Sequence, residues 1–280
     1  MLNLVIVRGD PPSGGRLVNS WHDENGELCG SAFAHEAMRW IEWSGLGVFA
    51  FSEGSSEVRH WPQPHASPQL CRETFSRQLQ PVILQALGWQ ALHASAIIGP
   101  SGVIAFCGKS GSGKSTLAFA MRNEGWSQLA DDAVVLRAAS NGVMVRPMPF
   151  APRLRPRSQA YFAEISPSSG QEPIAPRRPE LPLAMVILLL QDPAQPELTL
   201  APVRKAEAFS RVLAHAHEFD PSDQSETRRL ARDYLSIVDR VPVIELRYRP
   251  DLATLRNLTR TITELVHETE PYPRPHAEVA

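Results

Sequence analysis

The chain has 280 residues, 43% of them apolar and 21% charged, a balance that suits a soluble globular protein and allows one large domain or two modest ones. Its formal net charge of −2 excludes the strong basic excess of a dedicated nucleic-acid binder, though not a local basic patch. No run reaches the roughly 18 apolar residues of a membrane span, and the first ten residues lack the regions of a signal peptide, so a cytoplasmic protein with neither membrane nor nucleic acid as partner is expected.

In chain order, residues 1 to about 65 read as short strands with turns, through 2–7, 10–15, the hairpin-like Asn25-Gly26, 40–43 and 48–51. Pro62, Pro64 and Pro68 mark a linker. Phe75, Leu79, Val82, Ile83 and Leu87 fall near one face of a helix over 72–87. Strands 92–98 and 103–107 flank the reversing turn Gly99-Pro100-Ser101-Gly102. A helix opens near Lys114 and stops at Gly125, a natural left-handed terminator. Strand 126–130 follows, then strands 133–137 and 143–146 around Asn141-Gly142, a favoured hairpin dipeptide. Residues 147–182, rich in Pro, Arg and Ser, look like a loop. Further on, 185–190 is a strand, 205–218 and 227–238 are helices, and 242–248 is a strand. A last amphipathic helix spans 252–266 behind Asp251 as N-cap, and a proline-bearing tail follows. The expected division is a small β-rich region over 1–70, a second domain over 71–267 and a disordered tail over 268–280. Cys29, Cys71 and Cys107 show no CxxC spacing and read as thiols of a reducing compartment.

One segment carries chemistry outright. Gly108-Lys109-Ser110-Gly111-Ser112-Gly113-Lys114-Ser115 matches G-x-x-x-x-G-K-[ST], after an apolar strand and at the start of a helix. That pattern is a phosphate cradle, the P-loop of ATP-binding proteins. Glycine lets backbone N–H groups turn inward without a Cβ clash, and the helix N-terminus adds positive partial charge. Gly108, Ser110, Gly111, Ser112, Gly113, Lys114, Ser115 and Thr116 are therefore the expected cofactor-binding residues. Lys114 is expected to reach the β- and γ-phosphates and the Ser115 hydroxyl to ligate Mg²⁺, while the side chains of Lys109 and Ser110 have no assigned chemistry.

Asp132 lies eighteen residues after Lys114, beyond one helix and one strand that returns beside the P-loop strand. Asp131 and Asp132 should thus emerge near the phosphates, one to orient Mg²⁺ and the other to accept a proton from an attacking hydroxyl. A solvated turn is the plainer reading of the same pair. His93 begins the preceding strand, near the edge of the site, where it either hydrogen-bonds a carboxylate or serves the fold alone.

The stretch Leu92-His93-Ala94-Ser95-Ala96, the run from Gly108 to Thr116, and Gly125-Trp126-Ser127-Gln128-Leu129-Ala130-Asp131-Asp132 together resemble the HPr kinase/phosphorylase family, and in particular its shorter, divergent members such as lasso-peptide kinases. The resemblance covers about forty residues. It implies an α/β fold of the phosphoenolpyruvate carboxykinase type with the P-loop in a mixed sheet, use of ATP and Mg²⁺, and phosphoryl transfer to a serine of a peptide or protein. It further implies Asp132 as proton acceptor, with His93, Lys114 and Asp131 in support and Ser115 and Asp131 toward the metal. Because that family forms rings of subunits, a homo-oligomer is one possibility. The family's glycine-rich segment with a second metal-ligating Glu has no clear counterpart, Glu164, Glu172 and Glu180 being merely nearby acids. Its late Pro-Gly-Arg-Asn element is also absent, Arg247 and Arg249 being the nearest cations.

Rival readings share the cradle. An ABC-type ATPase would use residues 185–190 and Asp192, yet the sequence has no Leu-Ser-Gly-Gly-Gln signature and Pro193 stands where a catalytic Glu belongs. A small-molecule kinase or a nucleotide-binding regulator also remains open. Arg153, Arg155 and Arg157 belong either to a solvated loop or to a grip on an acidic or phosphorylated partner. His215 and His217, two apart, point in different directions on a helix and read as structural or substrate-side.

Overall fold

A computed structural model describes residues 2–165, 179–195 and 197–268. Glu172 and the tail beyond Glu268 lie outside the described residues. The chain forms two compact units. One takes Met1–Ala91 with His217–Ala231, the other Leu92–Ala216 with Arg232–Ala280.

In the first unit, β1 (Asn3–Ile6), β2 (Arg16–His22), β3 (Leu28–His35), β4 (Met38–Trp43), β5 (Gly47–Ser52) and β6 (Glu57–Pro62) form a sheet in the order β1-β6-β5-β4-β3-β2. Strands β2 to β6 are an antiparallel meander, and β1 joins β6 in parallel. Register places Ala32, Ile41, Phe49 and His60 side by side in one row on one face. Period-two alternation thus gives an apolar surface that needs cover.

The cover is α1 (Pro68–Thr74) and α2 (Gln80–Ala86), joined by a π turn over Phe75–Leu79. Ser67 caps the start by accepting from the Leu70 amide, and Pro68 fills the first turn, so the helix begins earlier than residue 72. Pro81 has no N–H and its ring crowds the carbonyl four residues back; the wider π turn before it relieves that crowding. Phe75, Leu79, Val82 and Ile83 are buried against the sheet, as their spacing predicts. Phe219, from the returning segment, is fully buried in the same core, and Arg39 binds Glu226 at 2.7 Å. The boundary drawn from sequence near residue 70 therefore falls inside this unit.

After β7 (Gln90–Leu92), the second unit contains β8 (Ala94–Gly99), β9 (Gly102–Cys107), α3 (Lys114–Asn123), β10 (Ser127–Ala130), β11 (Val134–Ala139) and β12 (Gly142–Arg146). Then come α4 (Pro156–Ile165), β13 (Leu181–Gln191), β14 (Thr199–Pro202), α5 (Lys205–Leu213), α6 (Gln224–Arg240, the second half of which belongs here), β15 (Val243–Tyr248), a 3₁₀ turn at Leu252–Thr254 and α7 (Leu255–Glu268). Its central sheet runs β10-β8-β9-β13-β15-β14, with β9, β13 and β15 parallel and the outer strands antiparallel. Both units are therefore built on sheets, and the second is a mixed α/β sheet. Leu117, Phe119 and Met121 of α3 pack with Ile104, Phe106 and Ile187 of the strands and with Leu258 and Ile262 of α7. Each such burial stabilises by about 1.5–3 kcal/mol, which holds α3 and the loop before it in place.

Three expectations need correction. Residues 147–182 are not loop throughout: α4 forms behind Pro156, and β13 already begins at Leu181. The helix expected over 205–218 stops at Leu213, because the His215 carbonyl accepts from the His93 amide at 2.7 Å and Leu92 bridges to Ala216. Strand β14, only four residues long and ending in Pro202, gave no signal. Asp251 does cap its helix, accepting from Ala253 N at 3.0 Å. No helix among the described residues is long and apolar enough to cross a membrane.

Candidate functional site

Sheet register brings five chain segments to one edge. Ala94 pairs with Cys107 and Ala96 with Ala130, so His93, Gly108 and Asp131-Asp132 all leave the sheet at the carboxyl end of β9. Parallel pairing adds the ends of β13 and β15, with Gln191 opposite Tyr248. Ligands of open α/β sheets bind at such an edge.

The loop after β9 has the form of a cradle. A Cβ on Gly108 would lie 2.5 Å from Ser112 Oγ and 2.9 Å from the Leu189 carbonyl, so the close turn admits only glycine. Gly113 has φ +86° and stands as N-cap of α3, where a Cβ would lie 2.6 Å from the Tyr248 hydroxyl. Tyr248, 6% exposed, donates that hydroxyl to the Ser112 carbonyl at 2.5 Å and fixes the loop from beneath. Ser112 Oγ is buried and has no hydrogen-bond partner among the described residues.

Lys114 is 7% exposed, and its Nζ donates to the Gly108 carbonyl at 2.8 Å and the Lys109 carbonyl at 3.3 Å. Burial pulls its pKa below the ordinary lysine value, Arg155 acts in the same direction, and Asp132 and Asp131 oppose them.

Asp131 and Asp132 lie beyond the strand rather than in extended backbone. β10 ends at Ala130, and Asp132 is left-handed at φ +72°. Such a conformation costs about 1–2 kcal/mol for a residue with a Cβ and is the kind of strain that functional sites retain. Asp131 turns inward and is 5% exposed. Its Oδ1 accepts from Ser95 Oγ at 2.7 Å, its Oδ2 from the Arg153 amide at 2.8 Å, and Ser115 hydrogen-bonds to it as well. Burial pushes its pKa up and the charge of Asp132 adds to this, while the three donors pull it back. Asp132 faces a cavity of about 470 Å³ that His93, Lys114 and Ser115 also line. Burial, and then Lys114, lower the pKa of His93 below the ordinary histidine value, with Asp132 opposing through its charge and a backbone hydrogen bond. The residues singled out from sequence thus meet in one place, and the solvated-turn reading of Asp131 does not hold.

No family model matches the chain, and no curated protein matches it. Among solved structures, the HPr(Ser) kinase/phosphatase from Coxiella burnetii is similar over 63% of this chain and 95% of that one, at 11% identity and a TM-score of 0.37. That similarity is too slight to assign a fold or an activity.

Several lining residues, Tyr248, Gln191 and Ser158 among them, had no counterpart in the sequence reading. Tyr248 and Gln191 arrive from strands remote in sequence, and Gln191 Nε2 lies 3.4 Å from the Tyr248 hydroxyl. Thr116 shares a 2.9 Å hydrogen bond with Ser158 of α4. Arg155 donates to Ser110 Oγ at 3.1 Å and lies against Gly111. Leu252, Leu255 and Leu258 give the cavity an apolar wall. Burial first, and then the charge of nearby Lys114, hold the His215 pKa down at about 4, whereas His217 belongs to the first unit. Arg247 is engaged with Glu245 at 3.1 Å and Asp192 at 3.6 Å, and neither it nor Arg249 lines the cavity. Among the described residues no group of three or more His, Cys, Asp or Glu could hold a metal ion.

Proposed function

We propose that this chain is an ATP- and Mg²⁺-dependent phosphotransferase that phosphorylates a serine hydroxyl of a peptide or protein. The observation that carries the reading is the cavity at the carboxyl end of β9 that P-loop residues, Lys114, Ser115, Asp132 and His93 line, with Asp131 bonded to Ser115 beside it.

The cradle fits a triphosphate on its own terms. The Ser112 hydroxyl is buried without a partner among the described residues, the glycines leave room where side chains would intrude, and the amides at the start of α3 face an anion site. Ser115 and Asp131 supply adjacent oxygen donors of the kind Mg²⁺ takes, with the remaining positions left to phosphate and water. When bound, MgATP supplies the phosphoryl group and neutralises charge on its oxygens.

This chain's own residues would do the rest. Lys114 would exchange its loop carbonyls for phosphate oxygens, and its charge would steady the transferring group. Asp132, aimed into the cavity by its left-handed backbone, would take the proton of the incoming hydroxyl. His93 would orient the Asp132 segment through its backbone hydrogen bond. Asp192, the carboxylate an ABC-type site would need, is paired with Arg247 instead. Three free thiols suit a reducing cytoplasm.

The test is incubation of the full chain with γ-labelled ATP, Mg²⁺, serine peptides and a metabolite panel. Label on peptide serine supports the reading. Label on a metabolite moves the chain to the small-molecule kinases, and binding without transfer makes it a regulator.

A further inference from the structure

The segment 153–158 lines the cavity and is tied down along its length. The Arg153 amide donates to Asp131 Oδ2 at 2.8 Å, Arg155 donates to Ser110 Oγ at 3.1 Å, and Ser158 shares a hydrogen bond with Thr116 at 2.9 Å. The first two ties hold Arg153 and Arg155, and the third holds Ser158, the residue after Arg157. All three arginines line the cavity.

Their situations differ. Arg155 rests on Ser110 and Gly111, against the phosphate cradle, and its charge is felt by Lys114. Arg153 and Arg157 are exposed, and among the described residues neither guanidinium has a hydrogen bond or an ion pair. Two guanidinium groups without a partner among the described residues thus line one cavity beside Asp132, whereas Arg39, Arg211 and Arg137 are paired with Glu226, Glu245 and Glu180. The cavity's other carboxylate, Asp251, already accepts from the Ala253 amide.

We propose that Arg153 and Arg157 select an acidic acceptor, a peptide with carboxylate side chains flanking the serine that is phosphorylated. This rests on the kinase reading above. A guanidinium presents its donors in a planar fork that matches a carboxylate two bonds at a time, so a pair on a hydrogen-bonded strap reads acidic side chains at fixed offsets from the hydroxyl. Lys114 and Arg155 take the nucleotide side, Asp132 the hydroxyl, and the two outer arginines the flanks. An acidic peptide would otherwise be repelled by the phosphates it approaches, and the two cations remove that barrier.

The experiment compares serine peptides that differ only at the flanks, bearing Glu, Gln or Lys, with the full chain and with Arg153→Gln, Arg157→Gln, the double variant and Arg157→Glu. Transfer from labelled ATP gives kcat/KM, and fluorescence anisotropy of the same peptides in the presence of ADP gives binding. Wild type should favour the Glu peptide over the Gln peptide by about tenfold or more, the order of one charge-assisted hydrogen bond. The ratio should collapse toward one in the double variant, and Arg157→Glu should turn it toward the Lys peptide. Equal use of Glu and Gln peptides by wild type would overturn the proposal while leaving the kinase reading standing. A higher KM for ATP in the double variant with the Glu preference intact would also overturn it, since the arginines would then serve the nucleotide. Tighter binding of the Glu peptide without transfer would sink the kinase reading and support an acidic ligand at this site.

Discussion

Replacing Gly113 with alanine and Tyr248 with phenylalanine, singly and together, tests whether the tyrosine hydroxyl shapes the phosphate cradle. Alanine at φ +86° costs about 1–2 kcal/mol for the left-handed backbone alone. Its Cβ would also fall 2.6 Å from the Tyr248 hydroxyl, an overpacking worth a further ~1–3 kcal/mol. Phenylalanine at 248 removes the 2.5 Å hydrogen bond to the Ser112 carbonyl and costs about 1–3 kcal/mol in this buried setting. In the double variant the nearest atom of residue 248 would be ring Cζ at 3.9 Å, an ordinary contact, so the overpacking disappears while the other two costs remain. The two substitutions should therefore be less than additive by about 1–3 kcal/mol, roughly the size of the clash. Chemical denaturation and calorimetric ATP titration of all four proteins measure it. Additivity within about 0.5 kcal/mol would refute the steric and hydrogen-bonding role given to Tyr248.

Lys114→Ala should abolish both ATP binding and turnover; turnover that survives would place the chemistry elsewhere. His60, 1% exposed and stacked on Phe49 at 4.1 Å, has its pKa lowered by burial. Stability of the first unit should be complete above the unfolded value of 6.5 and decline as pH falls below it toward the depressed folded value, and His60→Gln should flatten that slope in melting curves. An unchanged slope would contradict the assignment. Burial pushes the Cys107 thiol up to about 12 and raises Cys71 as well, while Cys29 is partly exposed. Iodoacetamide at pH 8 should label Cys29 first, and rapid labelling of native Cys107 would contradict the packing around β9.

What could be read in the sequence was whatever local residue types dictate. The cradle is fixed by glycines and Lys114 at set spacing, and Asp131-Asp132 by one helix and one strand after it, so both were legible. Tyr248 was not, because its partner Ser112 is 136 positions away and nothing near residue 248 marks it. α4 was hidden among arginines and prolines, although Pro156 at its start is a favoured opening residue. The composition of the first unit was illegible for a similar reason. Phe219 and Glu226 return to it across more than a hundred residues, and Phe219 belongs to no helical or strand period that would announce the contact. The left-handed backbone of Asp132 was not legible, because it depends on packing that periodicity does not encode.

The most direct test of the central claim is phosphoryl transfer by Asp132→Asn set beside its affinity for ATP. With the carboxylate lost but the cradle intact, ATP affinity should stay close to that of the parent, while transfer to serine falls by about 10²–10⁴. Transfer at the parental rate would contradict the account.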